Sequence, residues 1–382
     1  MNKSLMFNNM IEWVMFMNKS AKAMKNGFIS AILVTAAYFC MAHTKVIADA
    51  VSEAVQRCLL TVIPSLYAMM IVSALLVRSG ITGCMPNFLS RLTRLFFGLD
   101  GTSAAIFSMS IFAGYPVGTS MLLSEYESGR LNARRTELLC GLCFGAGPAF
   151  IFGCISGKLY SSPTAGMIIL ISTAVANIIG LLLMSPWLRR DIPEDTAKKK
   201  VTLTADMLTD CMISSGRSMA VICFSVVAFA VISAFFQMAG ISGSVGKILS
   251  WISGMDSGTG SRIFAVFLDI TNVSGLPVND YSLLPYICGA TSFGGVCVLF
   301  QLSALVRGRI SILPLVAVRV VMAAVSGMVC RVVMPIFMRY ELISASAVRG
   351  RICREGSAVP SVMLVIMTLM VIAGCEKAKK VP

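Results

Sequence analysis

Few side chains in the apolar sequence of this 382-residue chain could do chemistry, and two of them stand out. Asp269 ends an apolar run just before Thr271-Asn272, and Arg319 sits midway along Val316-Ala317-Val318-Arg319-Val320-Val321. An ionised group among hydrocarbon is costly, so such residues pair with one another or face a polar pathway. The expectation is an ion pair between Asp269 and Arg319 across a helix bundle. Direct handling of a solute or proton, or a polar place away from the centre, are the alternatives. Ser108, Ser110, Tyr115, Asn272, Ser274, Thr291, Ser292 and Gln301 supply neutral donors and acceptors nearby in sequence. That lining suits a polar, uncharged or zwitterionic solute over a large lipid, unless these groups only hydrogen-bond helices to one another.

Other chemistry is poorly supplied. Cys140-Gly-Leu-Cys143 is formally a C-x-x-C pair, but no second pair completes a zinc site and His43 is the single histidine. Most of the 13 cysteines lie in apolar stretches, where cysteine packs as a small hydrophobe. There is no Walker A sequence, no Ser/His/Asp set and no carboxylate pair, so neither an enzyme nor a cofactor or metal is expected.

The elements that would position these residues are interrupted apolar segments. Ala104 to Ala113 stops at Gly114-Tyr115-Pro116-Val117-Gly118, and a second run from Leu138 stops at Gly145-Ala146-Gly147-Pro148 before resuming. Glycine and proline there remove helical hydrogen bonds, and lipid cannot satisfy the freed groups, so the breaks must face protein or a watery cavity. Paired interruptions of this kind point to a solute site in secondary transporters. One constant offset aligns Ile106-Phe107 with Ile263-Phe264 and Gly118 with Gly275, which makes the segment ending in Asp269-Ile270-Thr271-Asn272-Val273-Ser274-Gly275 a second copy of the first. Leu283 to Gln301, broken at Thr291-Ser292-Phe293-Gly294-Gly295, mirrors the second, with Phe144-Gly145 falling on Phe293-Gly294. The candidate solute-binding residues follow: Tyr115, Pro116 and Gly118 at the first break; Gly145 and Gly147 at the second; Asp269, Thr271 and Asn272 at the third. Ser292 and Gly294 mark the fourth, with Gln301 beyond it and Arg319 on the closing segment.

At 57% hydrophobic and 13% charged, the chain is no ordinary soluble protein. Its apolar stretches approach the roughly 20 residues that span a bilayer. The predicted fold class is an all-α polytopic membrane protein with two structural repeats of discontinuous, broken or re-entrant helices, plus an N-terminal and a C-terminal membrane helix. The net charge of +14 comes from Lys and Arg in loops and tails, as anionic headgroups and the positive-inside rule produce, so no nucleic acid is expected. Residues 1–45 read as a basic N-terminus with an uncleaved first anchor, 46–189 as the first repeat and 190–204 as a basic linker on the cytoplasmic side. Residues 205–338 form the second repeat, and 339–382 a basic loop with a last membrane helix. Within these, Asp49, Glu53 and Arg57 share a face expected at the membrane surface, and residues 88–97 read as a short interfacial helix. The charges of 122–137 read as a solvated turn.

Several blocks resemble the YlbJ-type sporulation integral membrane proteins, which carry the nucleoside-recognition or Gate domain. They are Val62-Ile63-Pro64-Ser65-Leu66, Ala113-Gly114-Tyr115-Pro116-Val117-Gly118 with Ser124-Glu125-Tyr126 and Gly129 behind it, and Phe144-Gly145-Ala146-Gly147-Pro148. Asp269-Ile270-Thr271-Asn272 and Ser292-Phe293-Gly294-Gly295-Val296 with Gln301 match the second half of the pattern. The likeness covers residues 46–337 and departs at Phe144, where members tend to be polar, and at Asp269, where glutamate is commoner. The resemblance implies a multi-pass protein of the bacterial inner membrane, or a forespore-associated membrane, that serves endospore and especially cortex formation. The expected activity is secondary transport or permeation of a small polar solute; the alternative is a non-transporting scaffold or assembly factor for the spore envelope. Membrane lipids and that solute are the expected partners, with a homo-oligomer left open.

Overall fold

A computed structural model describes residues 27, 30–31, 33–80, 87–115, 117–189 and 203–347. The basic N-terminus, Pro116, most of the basic linker and the last apolar run, Val359 to Ala373, lie outside the described residues. Two units are distinguished, divided between Glu53 and Ala54. The first contains the apolar helix α1 (Leu33–Ala42) and most of α2 (Thr44–Arg57).

The second unit is built only of helices among the described residues. A wide π-type turn (Cys58–Val62) leads into α3 (Ile63–Arg78), followed by α4 (Asn87–Phe97), α5 (Gly101–Ala113), α6 (Val117–Glu127) and α7 (Ala133–Leu142). A short α8 (Pro148–Phe150) continues as a π-helical stretch (Ile151–Tyr160), and α9 (Pro163–Leu188) follows. After the linker come α10 (Ala205–Met238), α11 (Ile241–Ser253) and α12 (Ser257–Leu268), then a 3₁₀ segment (Ile270–Gly275). The last helices are α13 (Leu284–Phe293), α14 (Gly295–Val306) and α15 (Leu313–Ala347).

Four of these stretches, Pro163–Leu188, Ala205–Met238, Tyr281–Val306 and Leu313–Met338, are long and apolar enough to cross a bilayer, which makes this a membrane-embedded helical protein. Large apolar side chains point outward from them, as Phe224 (75% exposed) and Met328 (65%) illustrate, and face lipid. Local sequence sets the helix starts: Asp100, Asn132, Ser162, Thr204 and Asp256 each cap a helix by accepting a backbone N–H. α4 meets α5 at 88°, with Leu95, Phe96, Arg91 and Arg94 exposed, as an interfacial helix requires.

Hydrogen bonds fix which helix ends lie together. At the end nearest the linker, Arg135 donates to the Gly98 and Leu188 carbonyls and pairs with Asp100 at 3.1 Å, while Arg309 pairs with Glu127 and Ser311 N donates to Glu137 at 2.8 Å. At the opposite end, Asn279 N donates to the Leu159 carbonyl at 2.9 Å and the Tyr160 hydroxyl to the Asp280 carbonyl at 3.1 Å. Both outer ends of the α5/α6 hairpin therefore lie at the linker end, and the chain leaving the 3₁₀ segment lies opposite. Arg135 corrects one expectation. Within the charge cluster read as a solvated turn, this residue is 3% exposed and pins α5, α7 and α9 together.

Candidate functional site

The four breaks meet. The helical run of α5 ends at Gly114 (φ +72°), and Tyr115 N donates to the Gly145 carbonyl at 2.9 Å, joining the first break to the second. The backbones are nearly in contact: a Cβ on Gly114 would lie 2.5 Å from Gly147 N, and one on Gly118 would lie 2.4 Å from the Cys143 carbonyl oxygen. The Tyr115 hydroxyl donates to the Thr291 carbonyl beside the fourth break, and its ring rests 4.7 Å from that of Phe144. Gly294 and Gly295 follow each other at φ +86° and +82°, a conformation in which glycine avoids the clash a side chain would suffer. A Cβ on Gly294 would come within 2.7 Å of the Phe144 ring, and one on Gly295 within 3.1 Å of Ile270 N at the third break.

Arg319 serves this junction and does not pair with Asp269, contrary to the expected ion pair. Fully buried, it donates through Nη1 to the Phe144 carbonyl (2.9 Å) and the Ser292 carbonyl (3.1 Å), and through Nη2 to Asn177 Oδ1 (2.9 Å). Its guanidinium also lies 5.3 Å from the centre of the Phe144 ring. The guanidinium fork thus spans the carbonyls that two helix interruptions leave without helical partners, a geometry a point charge could not match. Asn177 completes the clamp by donating to the same Phe144 carbonyl at 3.1 Å.

Asp269, 1% exposed, caps the 3₁₀ segment by accepting from Thr271 N at 3.0 Å and Thr271 Oγ1 at 2.8 Å. No cationic group lies within ion-pair distance of it among the described residues. Asn272 is held at both ends of its amide, donating to the Ala265 carbonyl at 3.0 Å and accepting from Arg57. That contact takes Arg57 away from the surface face expected for it.

Beside the junction is a cavity of about 40 Å³ lined by Tyr115, Gly147, Asp269, Thr271 and Gln301, with apolar walls from α3, α8, α10 and α14. Gln301 is buried, and its amide nitrogen contacts Cys297 Sγ at 3.4 Å. The space is large enough for a water or two or a small ion, because one water needs only about 10–15 Å³ by this measure. Of the other expected residues, those described do not line it. Gly118 gives close backbone approach, Gly145 offers its carbonyl to Tyr115 N, Gly294 packs under the Phe144 ring, Ser292 offers its carbonyl to Arg319, and Arg319 and Asn272 hold the frame. Asn177 and Arg57 were missed by sequence reasoning. An amide inside the cleanest apolar run was the signal for Asn177, whereas nothing local marked Arg57. Comparison with family models, curated proteins and solved structures gives no match.

Proposed function

We propose that the protein is a secondary transporter or permease for a small polar solute, working by alternating access around the four breaks. One observation carries this reading: the interruptions converge on a cavity walled by a buried carboxylate that no cationic group among the described residues reaches at ion-pair distance. Keeping such a group inside a membrane bundle is costly, and a pathway for a polar species is the usual reason.

Helix directions support two inverted repeats. α5/α6 re-enters from the linker end and α12 with its 3₁₀ return from the opposite end; α7/α8 and α13/α14 cross in opposite senses through a break, and α9 and α15 close each half. Lys198-Lys199-Lys200 in the linker puts that end in the cytoplasm by the positive-inside rule. The cavity is far smaller than the roughly 300 Å³ or more of a typical ligand pocket, as an occluded conformation of such a transporter would have it. In the setting that the sequence resemblance to the YlbJ-type, Gate-containing proteins suggests, the proposed activity serves the bacterial inner membrane during spore cortex formation.

The test is thermal stability in mild detergent against nucleosides, amino acids, peptidoglycan precursors, dipicolinate and metal ions. A true solute at a hundred times its dissociation constant stabilises the fold by about 2.7 kcal/mol. Asp269→Asn keeps an acceptor for Thr271 and so the fold, but abolishes the shift. A flat panel, together with undiminished sporulation by the Tyr115→Ala, Asn272→Ala double variant, would sink transport in favour of an envelope scaffold.

A further inference from the structure

A second pocket of about 260 Å³ lies between α3, α6, α10 and α14, lined by Arg78, Ser120, Ser124, Ser214, Ser215 and Ser218, with Met70, Val117 and Met121 among its apolar residues. Three observations connect it with the Asp269 cavity. Along α3 and the turn before it, Val62 and Leu66 line the inner cavity while Met70, Ala74 and Arg78 line the outer pocket, at a spacing of four that follows one winding ridge of the helix. On α10 the same face passes from Ser215 and Ser218 to Ile222 and Val226, and on α14 from Leu305 to Gln301 and Val298. Met70, Val117 and Met121 line the outer pocket and not the inner cavity, and each is buried.

The outer pocket is also chemically distinct. Arg78 is the single charged side chain in its lining among the described residues, half-exposed and loosely paired with Asp210 at 3.4 Å, outside that lining. Ser214 and Ser218 donate to backbone carbonyls of their own helix, whereas the hydroxyls of Ser120, Ser124 and Ser215 form no hydrogen bond among the described residues. Serines at a lipid-facing surface would bond back to their own helix; unpartnered hydroxyls beside a half-exposed guanidinium require water or a ligand.

We propose that this pocket is a water-filled vestibule open at the linker end, which receives a small solute bearing a carboxylate or phosphate group. Arg78 and the free serine hydroxyls meet that group. The solute then passes the apolar barrier at Met70, Val117 and Met121 to reach the Asp269 cavity. This deepens the transport reading and rests on it for the onward step; the vestibule itself is tested without any transported solute.

Single cysteines are placed at Ser120, Ser218 and Ala74 in the full-length chain, in sealed vesicles of known orientation. Each is exposed to membrane-impermeant methanethiosulfonates, one bearing a sulfonate and one a trimethylammonium, and labelling is counted above the background of the native cysteines. Ser120→Cys and Ser218→Cys are expected to react from the linker side only. Val226→Cys, buried at the inner cavity, and Phe224→Cys, facing lipid, stay unmodified. The sulfonate reagent gains about fivefold over the cationic one relative to their rates on a free thiol, the size expected of one nearby unit charge, and Arg78→Gln removes that gain. Ala74→Cys stands in for either serine variant that fails to yield monodisperse protein. Silence of all three positions, labelling from the opposite side, or preference for the cationic reagent overturns the vestibule. A vestibule that labels as expected with no stabilising solute would instead count against the transport reading alone.

Discussion

Arg319 is a structural cation whose acceptors are main-chain carbonyls. Replacing it with Met leaves the Ser292 carbonyl and the Asn177 amide oxygen without their buried donor, and the Phe144 carbonyl with Asn177 alone, at a cost of about 3 kcal/mol or more. Arg319→Lys recovers only part of this, because an ammonium cannot reproduce the fork. Thermal midpoints in detergent measure both; a Met variant as stable as the wild type would show that the clamp is dispensable. Sequence marked Arg319 and Asp269 as unusual because ionisable groups in apolar runs are conspicuous. It could not reveal their partners. Backbone carbonyls carry no side-chain signature, and two opposite charges in one apolar protein invite a pairing that the fold does not make.

At the scale of elements, the breaks were legible and their closeness was not. Glycine and proline within apolar runs mark the loss of helical hydrogen bonds whatever the surroundings. That Gly118 needs its missing side chain, while Gly153 does not, depends on what packs opposite. Gly118→Ala drives a Cβ to 2.4 Å from the Cys143 carbonyl oxygen and destabilises by about 1–3 kcal/mol, whereas Gly153 has nothing within 4 Å and its alanine variant is near neutral. Equal midpoints for the two variants would refute the tight approach of the first two breaks. Length was a further clue to re-entry. The 13 residues of α5 rise about 20 Å, short of the roughly 30 Å hydrocarbon core.

For the whole molecule, composition fixed the membrane environment early, since no soluble core needs so much apolar sequence. The direction of each helix was out of reach, because both flanks of the last apolar run are basic and several runs turn back. The bonds that join Asn279 to Leu159 and Arg309 to Glu127 lie at opposite ends of the bundle. Reporter tags inserted beside Asn279 and beside Arg309 should therefore read out on opposite faces of the membrane, with the Arg309 tag cytoplasmic. Tags on the same face would overturn the inverted arrangement.

The Arg319 clamp also constrains the order in which the molecule can be made. Its acceptor on Phe144 lies 175 positions earlier in the chain and that on Leu188, for Arg135, 53 positions later than its donor. A nascent first half can complete its own corner once α9 has emerged from the ribosome. Its broken crossing, however, enters the bilayer with the Phe144 carbonyl met by Asn177 alone and the second donor still to come on α15. Until then, the Asn177 amide oxygen also lacks the guanidinium that it accepts from. The first half is thus finished by the last helix of the second, and a chain terminated before Arg319 leaves the translocon with its central junction open.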